Sequence, residues 1–343
     1  MNPFAWLPAT TVEQAARAAT ATVAGAMATP AGAMARPVAI VKAGGIDLLD
    51  LMKEGLLTPA TLVSLGTVGG LDGIAVSDAG LRIGARVTLE RLAADATVRQ
   101  RYPALAQAAQ ASASPQIRHV ATLAGNLLQR PRCWYFRSLA YPCLRKGGAH
   151  CFALSGQNAY HAVFDNLPCA IVHPSTVATA LVALNARIER VDATGANKTV
   201  PLESFFVSAR QDPRRENELG PGEIVTAVHL PPPRGARSVH LKQGERQAFD
   251  WPLVDAAVAL EIGPGRRCSA ASVVLGAVAP VPHRARAAER ALVGHVLDER
   301  QAATAAQAAL EGATSLAMNA YKLPLIETLV RRALLQALSE EFR

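Results

Sequence analysis

The sequence has no long hydrophobic run and no basic start. Half of its 343 residues are hydrophobic, yet no stretch of about 18 consecutive apolar residues occurs, so a membrane-spanning helix is not expected. The first basic residue, Arg17, comes after the acidic Glu13, whereas a secretory signal peptide begins with positive charge. We therefore expect a cytoplasmic protein, which would reach the periplasm only by export together with a partner that carries a signal.

Several familiar catalytic patterns are also missing. The sequence contains no P-loop, no HExxH zinc-protease motif, no GxGxxG dinucleotide fingerprint and no clear Ser/His/Asp set. No two of its five cysteines are separated by two to four residues, the spacing that structural zinc sites typically use. The chemistry must therefore be sought in a less common arrangement of residues.

Charge does not single out one class of partner. Lys and Arg number 35 against 27 Asp and Glu, which gives a net charge of +8. Most basic residues are scattered, whereas nucleic-acid-binding proteins concentrate them in a patch or stripe. A solubilising surface, an anionic cofactor or an acidic protein partner accounts for the excess as well, and we expect no nucleic-acid partner.

The spacing of apolar residues predicts an α+β chain with more than one domain, because 343 residues exceed the usual size of a single core. A helix is expected over residues 11–26, and a polar loop or lid rich in helix breakers over residues 210–222. Beyond a domain boundary near Pro231, strands covered by helices should form an α+β layer. The elements predicted there are strands near 237–243, 254–262 and 270–278 and helices near 284–293, 298–312 and 319–340.

One predicted turn has the composition of a ligand-binding loop. A short strand over residues 38–42 should lead through Gly44 and Gly45 into a helix over residues 47–54. Glycines let the backbone approach a ligand closely, and a helix start offers free N–H groups to an anion. A plain tight turn gives the same pattern, so both interpretations remain open.

The most unusual stretch of the sequence is residues 111–176. It holds four of the five cysteines and seven of the sixteen aromatic residues (eight Phe, five Tyr and three Trp). From Leu127 to Phe164 it contains no Asp or Glu, although five basic residues occur there. Basic side chains and glycine N–H groups would offset negative charge on a bound group, and the aromatic residues would exclude water from it.

The four clustered cysteines allow several interpretations. A chain of this size does not need disulfides, and zinc lacks its usual cysteine pairs. An iron–sulfur cluster accepts thiolates from widely spaced loop positions, and the local composition favours it. Zinc and free thiols remain open at this point, and the isolated Cys268 is expected to be a plain thiol.

The chain resembles the FAD-binding medium subunit of the molybdenum hydroxylases, the xanthine dehydrogenase and aldehyde oxidase family, over nearly its whole length. The residues that carry the resemblance are the first loop Val41–Leu48, the signature Leu81–Thr88, the second loop Thr122–Leu127, His173–Ser175 and Asn319–Lys322. It implies an α+β fold with a two-part FAD-binding domain of the PCMH/vanillyl-alcohol-oxidase type, residues 1–60 and 61–230. A C-terminal α+β domain of the CO dehydrogenase flavoprotein type, residues 231–343, would follow.

The resemblance also implies which residues bind FAD. They are Val41, Lys42, Ala43, Gly44, Gly45, Ile46, Asp47, Leu48, Ser114, Thr122, Ala124, Gly125, Asn126, Ser175, Thr176 and Lys242. Three of these depart from the family pattern, which commonly has Thr at Ile46, Gly at Ala124 and Asp at Thr176. We expect FAD binding to be retained, with altered affinity.

The cysteine-rich stretch narrows the resemblance further. Residues 132–137 and 142–148 are similar to the bacterial aldehyde oxidoreductase branch, whose FAD subunit carries a [4Fe-4S] cluster. The resemblance implies a cluster-binding insertion at residues 127–172, hereafter the cysteine insertion. Its four ligands would be Cys133, Cys143, Cys151 and Cys169.

The implied function is electron transfer inside a larger enzyme. A large molybdopterin-binding subunit would oxidise an aldehyde, and a small subunit with two [2Fe-2S] clusters would pass electrons to FAD in this chain. An external acceptor would then take them, in a heterotrimer or a dimer of heterotrimers. Alternatives are a reductive 4-hydroxybenzoyl-CoA-reductase-like subunit, a [4Fe-4S] nucleic-acid-binding protein and a stand-alone FAD oxidase. No catalytic residue is expected in this chain.

Several ionisable residues have individual predicted roles. Asp47 is expected to cap its helix and hold the first loop, and Lys242 either borders the flavin or forms an exposed salt bridge. His119 and His161, which flank the cysteine insertion, are expected to make hydrogen bonds or to lie beside the cluster rather than act in catalysis. Two further acids in the breaker-rich loop, Glu216 and Glu218, are expected to be solvated surface residues.

Overall fold

A computed structural model describes residues 1–28, 37–233, 237–246 and 249–339. Within these ranges the strands form three sheets, of three, five and four strands. Helices pack against the sheets, so the α+β fold class predicted from the sequence is confirmed. In the same ranges, no helix is both long and apolar enough to cross a membrane.

The first sheet is parallel and has the strand order β1-β3-β2. Its elements are β1 (Ala5–Pro8), α1 (Val12–Ala18), α2 (Val23–Ala28), β2 (Ala39–Lys42), α3 (Ile46–Lys53) and β3 (Thr61–Ser64). The predicted strand and helix around Gly44 are therefore confirmed to within one residue. The single helix predicted over residues 11–26 is wrong. The chain leaves the helix after Ala18 because Thr20 hydrogen bonds to Ala39 in β2, through its N–H (3.0 Å) and its hydroxyl (2.9 Å).

The second sheet is antiparallel and has the order β4-β5-β8-β6-β7. Its strands are β4 (Ile74–Ser77), β5 (Gly80–Gly84), β6 (Arg187–Val191), β7 (Asn197–Pro201) and β8 (Ile224–Leu230). The helices of this part are α4 (Leu89–Ala94), α5 (Ala96–Arg101), α6 (Pro103–Gln110), α7 (Pro115–Arg118), α8 (Leu123–Leu127), α9 (Thr176–Ala183) and α10 (Leu202–Phe205). Every residue of α9 is buried, so this helix forms the centre of the core.

The third sheet is antiparallel, with the order β12-β11-β10-β9, and is covered on both faces. Its elements are β9 (Arg237–Gln243), β10 (Val254–Ile262), β11 (Cys268–Gly276), β12 (His283–Arg284), α11 (Arg286–Leu292), α12 (Glu299–Ala308) and α13 (Lys322–Leu338). Because side chains alternate along a strand, Ala257 of β10 packs in the core with α9, while Ala256 and Val258 pack with α12 and α13. β11 begins at Cys268, two residues before the start of the strand predicted over residues 270–278.

Residues 128–175, which link α8 to α9, contain only short 3-10 turns among irregular chain. Phe136 and Cys143 pack in the core of the first sheet, whereas Val163 and Phe164 pack in the core of the third. The amide of Asn319, just before α13, donates to the carbonyl oxygens of His161 and Ala162 (3.0 and 3.1 Å). The cysteine insertion is therefore fixed between the N-terminal and C-terminal parts of the fold.

Candidate functional site

A large cavity of about 820 Å³ lies where the parts of the fold meet. This volume is in the upper range for small-molecule and cofactor sites. Its walls include the first loop, the second loop, the 210–222 loop and the segment after β9. Fourteen of the sixteen predicted FAD-binding residues line it: Val41, Lys42, Ala43, Gly44, Gly45, Ile46, Asp47, Leu48, Thr122, Ala124, Gly125, Asn126, Thr176 and Lys242.

The two other predicted contacts lie outside the cavity lining. Ser114 caps α7 by accepting a hydrogen bond from the N–H of Ile117 (3.3 Å). Ser175 caps α9 and donates to the side-chain oxygen of Asn126 (2.5 Å). Through this second bond Ser175 holds the second loop in place, although Ser175 itself does not line the cavity.

The first loop brings backbone N–H groups to the cavity wall. Gly45 has φ +87° and precedes α3, and no side chain in the described part of the chain caps this helix, so its first N–H groups have no capping oxygen there. At Gly44, an added Cβ would lie 2.2 Å from the carbonyl oxygen of Val120. The first loop therefore packs directly on the chain before the second loop, and only glycine permits this approach.

Asp47 holds the first loop, although not as a helix cap. Its carboxylate accepts hydrogen bonds from the backbone N–H of Arg130 (2.8 Å) and from the guanidinium of Arg137 (2.6 Å). Arg132 adds an ion pair at 2.8 Å. The prediction that Asp47 caps its helix is wrong, because the cap position belongs to Gly45 and the carboxylate points to the cysteine insertion instead.

Polar groups near the second loop are largely satisfied within the protein. The hydroxyl of Thr176 lies 2.6 Å from that of Ser112, and both contact the carbonyl oxygen of Ala108. Lys242 donates to the carbonyl oxygens of Ala111 (2.8 Å) and Asp250 (2.5 Å). Burial lowers the pKa of Lys242 despite nearby carboxylates. The lysine is therefore partly buried at the cavity wall and does not form an exposed salt bridge.

Sequence reasoning missed part of the cavity wall. Arg214 and Arg215 contribute from the 210–222 loop, and Phe249 and Trp251 from the segment after β9. The ring of Trp251 stacks under the guanidinium of Arg132 (4.6 Å), a cation–π contact. The polar, breaker-rich composition of the 210–222 loop was the only signal that could have pointed to this wall.

All four cysteines of the insertion line a second, smaller cavity. They are joined there by Tyr135, Phe136, Leu144, Arg145, Phe152, Ala153, His161 and Ile171. All five cysteines of the chain are free thiols, and Cys268 lies apart in β11, as predicted. Among the residues that the structure describes, no three or more His, Cys, Asp or Glu side chains are placed so that they bind one metal ion together, although the four thiols line the same cavity.

The environment of these thiols is uneven. Burial raises the pKa of Cys133 to about 12. A hydrogen bond from Cys151, followed by the charge of Arg145, lowers the pKa of Cys169 to about 6 although burial opposes this. The Nε2 atom of His161 lies 3.2 Å from the sulfur of Cys133, and burial lowers the pKa of His161 to about 4. His161 is therefore a neutral neighbour of the cavity, whereas His119 is exposed on the surface.

The prediction that Glu216 is a solvated surface residue is wrong. Its side chain is only 3% exposed and accepts hydrogen bonds from Arg130 (2.9 Å) and Arg145 (2.5 Å), which are each 1% exposed. Burial would raise the pKa of Glu216, but the two guanidinium groups lower it overall. Glu218 is exposed, as predicted, and pairs with Arg190 at 3.5 Å.

Two family models together match most of the chain. The FAD binding domain in molybdopterin dehydrogenase matches residues 2–233, and the CO dehydrogenase flavoprotein C-terminal domain matches residues 239–337. The aldehyde oxidoreductase FAD-binding subunit PaoB of Escherichia coli is 41% identical over 254 residues, which cover 73% of this chain and 78% of that protein. The carbon monoxide dehydrogenase medium chain of Afipia carboxidovorans is 28% identical over 300 residues, 86% of this chain and 87% of that one.

Solved structures show the same fold. Quinoline 2-oxidoreductase from Pseudomonas putida has a chain that superimposes with a TM-score of 0.72 at 25% identity, covering 98% of this chain and 97% of that one. A chain of CO dehydrogenase from Oligotropha carboxidovorans gives a TM-score of 0.73 at 23% identity, covering 98% of both chains. The chain therefore belongs to the FAD-binding medium subunits of the molybdenum hydroxylase family.

Proposed function

We propose that the chain is the electron-transfer subunit of a molybdenum-dependent aldehyde oxidoreductase, with FAD in the large cavity and a [4Fe-4S] cluster on Cys133, Cys143, Cys151 and Cys169. The observation that carries the proposal is the pair of cavities, one lined by the two family loops and one by four cysteines. The relative with 41% identity is named as an aldehyde oxidoreductase subunit, which supports this substrate class.

The residues of the large cavity fit FAD. The uncapped N–H groups at the start of α3 suit the diphosphate, because a helix N-terminus favours anions. Gly44 and Gly125 have no side chain to project from the two loops. Lys242 donates a hydrogen bond that holds the carbonyl of Ala111 at the cavity wall. Ala124 belongs to the hydrophobic core between sheet and helices, so the methyl group that replaces glycine there is accommodated by packing.

The residues of the small cavity fit a group with net negative charge. Arg130, Glu216 and Arg145 form a buried trio with two positive charges and one negative charge, so one positive charge is left over. A buried charge is costly unless it is paired. Arg145 lines the small cavity, and its charge helps to lower the pKa of Cys169, so the excess positive charge faces the cysteines and favours negative charge there. Within the described residues, the Nε atom of Arg145 and the Nδ1 atom of His161 have no hydrogen-bond partner, as expected beside a group still to be bound.

When bound, FAD and the cluster supply the redox chemistry, and the protein supplies position and electrostatics. The chain's own residues would hold the two groups, exclude water with Tyr135, Phe136 and Phe152, and stabilise negative charge with Arg145. The aldehyde site, the molybdopterin and the two [2Fe-2S] clusters would belong to a large and a small partner subunit. An external acceptor would receive the electrons from this chain.

The proposal can be tested by anaerobic addition of aldehyde to the purified complex and to the isolated chain. We expect the flavin absorbance to bleach in the complex and to return when an acceptor is added. The isolated chain should show no bleaching by aldehyde, because the oxidising site lies in a partner. Aldehyde turnover by the isolated chain would contradict the proposal and support a stand-alone oxidase. Electron flow only from reduced ferredoxin towards an aromatic thioester would support the reductive alternative.

A further inference from the structure

The two cavities share one buried ion network. Arg145 lines the small cavity that holds the four cysteines, hereafter the cysteine cavity. Arg130 and Glu216 line the large cavity of about 820 Å³, hereafter the flavin cavity. A single carboxylate oxygen of Glu216 accepts hydrogen bonds from both guanidinium groups, at 2.9 Å from Arg130 and 2.5 Å from Arg145. Glu216 therefore stands between the two sites as the link through which the arginines interact.

Arg130 carries this link to two walls of the flavin cavity. Its guanidinium donates to the carbonyl oxygen of Arg214 (2.8 Å), in the 210–222 loop. Its backbone N–H donates to the carboxylate of Asp47 (2.8 Å), in the first loop. A shift of Arg130 would therefore move both walls, since its neighbours have no room to rearrange independently in a close-packed interior.

We propose that Glu216 is a positioning residue that couples occupancy of the cysteine cavity to the affinity for flavin. This inference rests on the proposed function, in which negative charge at the cysteines pairs with Arg145. With that charge present, Arg145 would share its guanidinium between the cysteine cavity, which it lines, and Glu216, to which it donates at 2.5 Å. Without it, Arg145 would interact more strongly with Glu216, and the carboxylate would be drawn from Arg130 towards Arg145.

Arg130 would then lose part of its ion pair with Glu216. The 210–222 loop and the first loop, which Arg130 holds as walls of the flavin cavity, would become less firmly fixed. Such a coupling is reciprocal, because each ligand changes the affinity for the other by the same factor. Couplings between two sites in one protein typically change affinity by about 5- to 150-fold. We expect a factor at the lower end, about 5 to 20, because Asp47 has further partners in Arg132 and Arg137.

The test measures the dissociation constant of FAD for the full chain, purified with whatever subunits accompany it, before and after iron is removed with a chelator. In the wild type, iron removal should raise the dissociation constant about 5- to 20-fold. In E216Q, which keeps the shape and removes the charge, the ratio should fall to about one. In E218Q, the matched change at an exposed position of the same loop, the wild-type ratio should persist. A purely structural role for Glu216 would weaken FAD binding in E216Q but leave the ratio unchanged.

Two further measurements cover the case in which E216Q does not fold. The conservative variant E216D keeps the charge and should retain a ratio above one. In the wild type alone, adding FAD should increase the iron retained at a fixed chelator concentration. A wild-type ratio of one with iron and flavin both present overturns the inference and leaves the proposed function intact, as does an unchanged ratio in E216Q. A wild-type chain purified with flavin but no iron overturns both the inference and the proposed cluster.

Discussion

The flavin cavity and the cysteine cavity differ in size, in lining and in how their polar and charged groups are paired. The first is large and is lined by loop backbone, with most of its side-chain polar groups already hydrogen bonded inside the protein, as at Thr176 and Lys242. The second is small, enclosed by aromatic rings, and faces a buried excess of positive charge at Arg145. The first cavity therefore has many of its polar groups satisfied within the protein, whereas the second places a buried positive charge beside its thiols.

The largest effect should come from removing a thiolate next to Arg145. The variant C169S should lower the free energy of unfolding by about 3–5 kcal/mol, the usual result of leaving a buried charge without its partner. Denaturant unfolding of the anaerobically purified complex measures this. The control C268S removes a buried thiol far from both cavities and should change stability by less than about 1.5 kcal/mol. Equal effects of the two changes would remove the distinction between the cavities.

Acid should destabilise the folded protein through the buried His173. Burial lowers the pKa of His173 to about 4 from its ordinary 6.5, although Glu216 and Asp255 oppose the shift. The unfolded chain therefore binds more protons between pH 6.5 and 4, so stability is full above pH 6.5 and falls as the pH is lowered towards 4. The loss attributable to this histidine is about 3 kcal/mol.

The variant H173Q tests this pH dependence. Its stability should fall less between pH 6.5 and 4 than that of the wild type, as measured by denaturant unfolding at each pH. H283Q provides a comparison, since burial also lowers the pKa of His283 to about 4 at a position stacked on Phe164. Wild type and H173Q with parallel pH profiles would show that His173 is not neutral in the folded protein.

A change at Gly44 should affect the flavin cavity selectively. In G44A the new methyl group would lie 2.2 Å from the carbonyl oxygen of Val120, so the first and second loops must separate. Overpacking of this kind costs about 1–3 kcal/mol, which corresponds to a 5- to 150-fold loss of FAD affinity. A flavin titration measures the loss, and iron content should not change when FAD is present at saturation. G69A is the matched control, because a Cβ at Gly69 meets nothing within 4 Å.

The smallest effect should come from restoring a hydroxyl at the start of α3. Ile46 is 39% exposed, so I46T adds a donor at the cavity wall without disturbing the core. We expect FAD affinity to rise about 2- to 10-fold, the worth of one hydrogen bond of about 0.5–1.5 kcal/mol. I46V, which has the shape of threonine without the hydroxyl, should leave the affinity unchanged. An equal gain in both variants would indicate a steric cause instead.

The two cavities also differ in how well the sequence predicts them. Gly44 and Gly45 make the first loop recognisable in the sequence. Glycine is required at Gly45 by its left-handed φ and at Gly44 by the close approach of another part of the chain. Likewise the four cysteines can be grouped from composition alone. Local patterns of this kind survive folding, which is why most of the large cavity's loops were anticipated.

Long-range pairing could not be anticipated. Glu216 sits in a loop rich in helix breakers, and its burial depends on Arg130 and Arg145, which lie 86 and 71 residues away in sequence. The break between α1 and α2 likewise follows from the hydrogen bonds between Thr20 and Ala39. In both cases a tertiary partner overrides the local preference, and a single sequence does not reveal the partner.

If each cavity holds its own cofactor, removing one thiol should empty one cavity and leave the other filled. The most direct test is the content of iron, acid-labile sulfide and FAD in the anaerobically purified complex, with FAD supplied in excess, for wild type and C169S. We predict that wild type contains one FAD per chain and that C169S keeps this flavin while losing iron and sulfide equivalent to one [4Fe-4S] cluster per chain. Equal iron and sulfide contents in the two proteins would contradict the account.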